Sequence, residues 1–114
     1  MFLIGKMFAA IGSMNYKLKL LPKALKDLKE TKKWYNVQKD FLGDEFKFEA
    51  NKEIDYVLSN PFNYQIRFLE FRKALINRFP YCIYYLINET LNQIIVFAVL
   101  HNKRSIDVLK KRLK

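Results

Sequence analysis

The chain of 114 residues holds one cysteine, one histidine, three glycines and three prolines. A single thiol cannot close an internal disulfide. One Cys with one His also falls short of the four-ligand set of a structural zinc site, so no metal is expected. Scarce Gly and Pro exclude collagen-like and low-complexity chains. The opening stretch MFLIGKMFAAIGSM is apolar, but it is shorter than the ~20 residues of a membrane span. Lys6 lies in its middle rather than ahead of it, unlike the charge of a secretory signal. Acid is the other shortage: 11 Asp+Glu stand against 21 Lys+Arg, for a net charge of +10. Apolar residues make up 51% and aromatics 16%, too many for a disordered basic tail. These proportions predict one small domain over residues 15–114, intracellular and cytoplasmic, with 1–14 as a loose appendage or an over-extended start. The basicity points to phosphate-bearing or acidic partners.

The charge is unevenly spread. Residues 15–40 hold eight lysines against Asp27, Glu30 and Asp40, whereas residues 41–60 hold two lysines against five acids. Residues 61–114 are basic again, with Lys103, Arg104, Lys110, Lys111, Arg112 and Lys114 crowded at the end. Lysines on helices are usually a solvated face; the denser C-terminal run is the better functional patch.

Tyr16, Leu18 and Leu20 alternate with Lys17 and Lys19, the period of a half-buried strand. Pro22 suits a helix's first turn, and Ala24, Leu25, Leu28, Thr31 and Tyr35 share one face of that helix. Leu42-Gly43 breaks the pattern, and Asp44 with Glu45 favours a new helix start. Phe46, Ala50, Ile54, Val57 and Leu58 supply the second apolar stripe until Ser59-Asn60-Pro61 stops it. A short strand near Ile66 and Phe68 follows, then strands over 72–79, 81–88 and 93–100. The last two are apolar on both faces, as in a sheet covered on both sides, and their short connections imply an antiparallel meander. Ile106, Leu109 and Leu113 have helical spacing. The expected fold is α+β: a strand, a helical hairpin, a three- to four-stranded antiparallel meander and a short C-terminal helix.

A turn near Pro80 sets Arg78 beside Cys82, and a turn near Leu91 sets Tyr81 beside Leu100 and His101. Arg78, Tyr81, His101 and Arg104 then gather at one end of the sheet, with Arg72 at the other. Two guanidinium groups, a phenol and an imidazole can hold RNA: arginines fork onto phosphate, and His101 can act as base or acid on a 2′-OH cleavage that needs no metal. Against this stands the plainer reading, in which strand-end arginines solvate and His101 is a hydrogen-bonded structural residue. Tyr81, Tyr84 and Tyr85 read as core or groove residues, Trp34-Tyr35 as core or partner-facing, and Cys82 as an inert buried thiol.

The helical segment from Ala24 to Tyr64, the block Arg72 through Ile87 with Arg78-Phe79-Pro80-Tyr81 and Tyr85, and Ile94 through Ser105 with His101 and Arg104 resemble the RelE/ParE superfamily of type II toxins. The resemblance covers about residues 15–112. It implies a growth-inhibiting, plasmid-stabilising toxin without cofactor, silenced in a hetero-oligomer by a neighbouring acidic antitoxin. It assigns Leu28, Trp34 and Tyr35 to antitoxin binding, and Arg72, Arg78, Tyr81, His101 and Arg104 to target binding. Two modes follow. A RelE-like member would cleave mRNA on the ribosome with Arg78, His101 and Arg104, but the tail KRSIDVLKKRLK lacks a terminal Tyr or His. A ParE-like member would inhibit DNA gyrase, and Trp34-Tyr35, Phe79-Pro80-Tyr81 and His101…Arg104 are closer to that side. A non-toxic basic nucleic-acid-binding module is the remaining alternative. No membrane partner is expected.

Overall fold

The protein's computed structural model describes residues 16–114; the expected appendage at 1–14 lies outside them. Strand β1 (Lys17–Leu20) leads into helices α1 (Pro22–Gln38) and α2 (Leu42–Ser59) and a 3₁₀ turn (Pro61–Asn63). Strands β2 (Ile66–Phe68), β3 (Phe71–Leu75), β4 (Tyr81–Asn88) and β5 (Gln93–His101) follow, then a second 3₁₀ turn (Asn102–Arg104) and α3 (Ser105–Arg112). The single sheet runs β1-β5-β4-β3-β2; β1 pairs parallel to β5 and all other pairs are antiparallel. The expected α+β order is therefore observed, with four strands in the meander. Among the described residues, no helix is long and apolar enough to cross a membrane.

The two strands that are apolar on both faces, β4 and β5, lie at or next to the sheet's centre between two cores. On one face the helical hairpin packs Ala24, Phe46, Ala50, Ile54 and Val57 against Ala74, Ile83, Tyr85, Ile94, Val96 and Val99. On the other, α3 packs Leu109 against Phe71, Cys82, Tyr84, Ala98 and Leu100. Side chains alternate faces along a strand, yet Val96 and Val99, three apart, share the hairpin face. The β4–β5 register explains it: Tyr84 pairs with Ala98 and Tyr85 with Val96, so Phe97 is the extra residue of a bulge.

Several local expectations are corrected. The third strand stops at Leu75, not at 79, and the turn centres on Asn77–Phe79, so the partner of Cys82 is Leu75 rather than Arg78. Ile76 N–H donates to the Tyr81 carbonyl at 2.9 Å, which closes that turn. Leu42-Gly43 does not break the hairpin but opens α2; the break is Phe41, left-handed at φ 67°. Gly43 is needed for closeness, since a Cβ there would collide with the Lys32 carbonyl of α1, and its N–H donates to Asn36 Oδ1 at 2.6 Å. Finally, β1 is less buried than half: Tyr16 and Leu20 pack on the core, but Leu18 keeps 43% of its surface exposed at the sheet edge.

Candidate functional site

The end of the sheet where β3 turns into β4 and β5 runs out carries most of the predicted site. Tyr81 and His101 are direct partners across the β4–β5 ladder, with ring centroids 5.2 Å apart. Tyr81 meets Tyr35 of α1 (6.0 Å) and Phe46 of α2 (5.5 Å), and Tyr35 meets Phe79 (5.0 Å) and Trp34 (5.0 Å). A run of rings thus crosses from His101 through Tyr81 and Tyr35 to Trp34. Mostly edge-to-face, such pairs each add about 0.5–1.5 kcal/mol beyond area burial. Tyr35 closes the core while Trp34 remains 55% exposed, so these two of the three expected antitoxin residues divide between packing and surface.

Arg78 belongs to this end, but its guanidinium is held by α2. Its backbone is left-handed (φ 72°), and Nη2 donates to Glu45 Oε1 of α2 at 2.8 Å. Nη1 stands 3.9 Å from Glu49, which also accepts from Asn77 Nδ2 at 3.5 Å. The hydrogen bond to Glu45, and then its charge, raise the guanidinium's already high pKa. The acidic second helix therefore has a specific use. Glu45 and Glu49, one turn apart, hold the β3–β4 turn through the arginine expected to meet phosphate.

His101 is equally committed. As the cap of the second 3₁₀ turn, its Nδ1 accepts the Lys103 backbone N–H at 3.2 Å. A backbone N–H can only donate, so Nδ1 is the acceptor in this contact and Nε2 is the ring nitrogen left to other partners. The same turn ends in exposed Lys103 and Arg104. Behind it, Ser105 Oγ donates to the Asn102 carbonyl (3.2 Å) and lies 2.8 Å from the Tyr84 hydroxyl, which tethers α3 to the sheet. Cys82 is fully buried beside them, and burial pushes its thiol up, consistent with an inert side chain.

Arg72 lies apart. Its Nη1 donates to the Tyr64 carbonyl at 2.6 Å and its guanidinium covers the Phe62 ring at 5.2 Å. Beside it the Tyr64 hydroxyl donates to Glu53 at 2.6 Å, and burial, then that bond, push the phenol far above its usual range. Leu28 lines a groove of about 270 Å³ with Leu20, Leu25 and Phe46, rimmed by Lys29, Lys32 and Lys47. Among the described residues no three His, Cys, Asp or Glu side chains converge as on a metal ion.

One cluster was not foreseen. Asp27 of α1 takes both Arg112 nitrogens (2.6 and 2.8 Å) and the Val99 N–H of β5 (3.0 Å). β1 pairs only as far as Val96, so beyond it β5 has an open edge that this carboxylate covers. The only hint in the sequence was that Asp27 is one of just two acids, with Glu30, among the lysines of α1.

A family model for the ParE toxin of the type II toxin–antitoxin system parDE matches residues 18–106. The chain belongs to the ParE toxin family. Its membership in the RelE/ParE superfamily of toxins agrees with the folds of solved structures. The chromosomal ParDE toxin–antitoxin system of P. aeruginosa superposes with a TM-score of 0.68 at 14% identity, over 77% of this chain and 97% of that one. The isolated E. coli RelE toxin gives 0.60 at 19%, over 87% and 99%. The toxin–antitoxin complex of E. coli RelBE gives 0.59 at 20%, over 74% and 93%. No curated protein sequence matches. In this ParE-family chain, Tyr81 and His101 meet, Arg104 follows them on the 3₁₀ turn, Arg78 is bound to α2, and Arg72 is remote.

Proposed function

We propose that this chain arrests bacterial growth unless an antitoxin binds it, and that it does so in the ParE manner, by inhibiting DNA gyrase, rather than by cutting mRNA. The toxin reading rests on the family match across residues 18–106. The choice of target rests on the commitment of His101. Cleavage through a 2′-OH needs a base that takes a proton and cations that meet the developing charge. His101 Nδ1 accepts the Lys103 N–H and so caps the second 3₁₀ turn. Arg78 is occupied by Glu45 and Glu49. Of the three residues a ribonuclease would use, only Arg104 makes no side-chain hydrogen bond or ion pair among the described residues. The remaining side chains of this end suit a protein surface better than a scissile phosphate: edge-to-face rings, exposed Trp34 and a basic turn.

The antitoxin expected by this reading is acidic, with apolar anchors against Leu28 and Trp34 and carboxylates against the lysines. Induced expression of the chain in bacteria tests both claims. Growth arrest with a DNA-damage response and intact mRNA is expected. Arrest with mRNA cut at ribosomal A sites overturns the choice of target, and unaffected growth overturns the toxin reading. Salt-sensitive nucleic-acid binding without arrest would leave the plain binding module.

A further inference from the structure

The helical hairpin ends in an apex that is apolar where water meets it. Val37 in the last turn of α1 and Phe41 in the connection are 76% and 74% exposed, the highest of any large apolar side chains among the described residues. Phe48 of α2 follows at 64%. These side chains lie opposite the core. Lys33 and Val37, one turn apart, are on the outer side of α1, and Phe48 stands between Phe46 and Ala50, both fully buried. Phe41 and Phe48 are two helical turns apart, so one side of α2 carries both within about 10 Å. Half-exposed Trp34 flanks them, one turn before Val37. Phe41 is also the left-handed residue of the turn, where Gly or Asn is usual and a bulky side chain is strained. A strained ring left in water contributes little to the fold, and exposed apolar groups that are contiguous mark a contact.

The cations around this apex are all lysines: residues 15–60 contain no arginine. Lys33, four residues before Val37, and Lys52, four after Phe48, extend the two outer faces, and Lys39 lies in the connection. Of the nearby acids, Asp44 is paired with Lys32 at 3.4 Å, and Glu45 and Glu49 with Arg78. That leaves Asp40 alone against Lys33, Lys39 and Lys52, none of them in an ion pair among the described residues. Interfaces between proteins favour arginine and are depleted in lysine. Exposed rings bordered by lysines instead suit the boundary of an anionic bilayer. There the rings enter the headgroup layer, and long lysine stems keep their charges at its surface. From this juxtaposition we propose that the hairpin apex docks on an anionic lipid surface, with Val37, Phe41 and Phe48 entering the headgroup region and Lys33, Lys39 and Lys52 meeting lipid phosphates. Such a contact is peripheral and needs no spanning helix. It does not rest on the toxin reading.

The full chain is mixed with vesicles of phosphatidylglycerol and phosphatidylethanolamine, with phosphatidylcholine vesicles as control. Binding is followed by co-sedimentation and by the emission of Trp34, the single tryptophan. Binding to the anionic vesicles alone is expected, with a blue shift of Trp34 and a loss of affinity as salt rises. Phe41→Gly with Phe48→Ser should weaken it by about tenfold or more. Phe41→Gly alone should melt at or above the parent's temperature, because Gly takes the left-handed turn without strain, and yet bind vesicles less well. A merely structural ring would not give that opposition. Lys33→Glu with Lys52→Glu should abolish the preference for anionic lipid. No binding to anionic vesicles overturns the inference. So does unchanged binding by the two-ring variant, the outcome if residues 1–14 or the C-terminal lysines carried it. Apex-dependent capture of gyrase without vesicle binding would assign this surface to a protein and overturn it too. None of these readouts involves growth arrest, so the toxin reading and this one can fail separately.

Discussion

Replacing Asp27 by Ala tests how the C-terminal helix is held. The carboxylate and the Arg112 guanidinium are 11% and 18% exposed, so little solvent screens their two short bonds. Removing the acid leaves a largely buried cation without its counter-charge and the Val99 N–H without its acceptor. Breaking a buried pair from one side costs about 3–5 kcal/mol, a large part of the about 5–15 kcal/mol that holds a small domain together. With a urea slope of about 2 kcal/mol per molar, the unfolding midpoint should fall by roughly 2 M. Amide exchange over α3 should quicken most, because α3 loses its tie to α1 while Tyr84–Ser105 remains. Asp27→Asn keeps an acceptor for Val99 and should fall between. The double variant Asp27→Ala with Arg112→Met buries no lone charge and should recover to within about 1 kcal/mol of the parent. Equal losses for the single and double variants, or a single-variant loss below about 1 kcal/mol, would refute the reasoning.

Other outcomes follow from the same geometry. Burial raises the phenols of Tyr64 and Tyr85 above their unfolded value, so the stability they confer is complete below about pH 10 and drains away as pH rises toward the folded values. Urea midpoints measured from pH 8 to 11 should be level at first and then drop, and Tyr64→Phe should make the drop shallower. Gly43→Ala forces a methyl into the Lys32 carbonyl and should destabilise by about 1–3 kcal/mol in the same assay. His101→Ala removes a cap, at about 0.5–2 kcal/mol, and should leave growth arrest by an equal amount of folded chain within about threefold. A loss of 10²–10⁴-fold, of the size acid–base catalysis contributes, would restore His101 as a catalyst.

Much of this fold was legible because its elements differ in period. Alternation marked β1, the stripes of Ala24–Tyr35 and Phe46–Leu58 marked two helices, and doubly apolar β4 and β5 marked the sheet's interior. The encounter of Tyr81 with His101 followed from two short connections alone. The fate of Arg78 did not follow. A strand pattern over 72–79 conceals a left-handed residue, and no periodicity reveals that Glu45 and Glu49, thirty residues earlier, face it. Ion pairs such as Asp27 with Arg112 span 85 residues and depend on where α3 lands, which local pattern does not encode. The β5 bulge was hidden for a related reason: in the run Ile94 through Leu100 every residue is apolar, so no change of phase can be seen.

That bulge governs more than local twist. Val99 shares the hairpin face with Val96 only because Phe97 is counted out of the ladder, and His101, two residues on, inherits that face beside Tyr81. Deleting one residue of β5 would leave its composition almost unchanged and yet turn His101 toward α3, separating it from the rings of Tyr81 and Tyr35. The corner is thus specified by the count of residues between Gln93 and His101 as much as by their kinds. Relatives that keep every residue of the corner but lack the extra one should present a different surface to the same target.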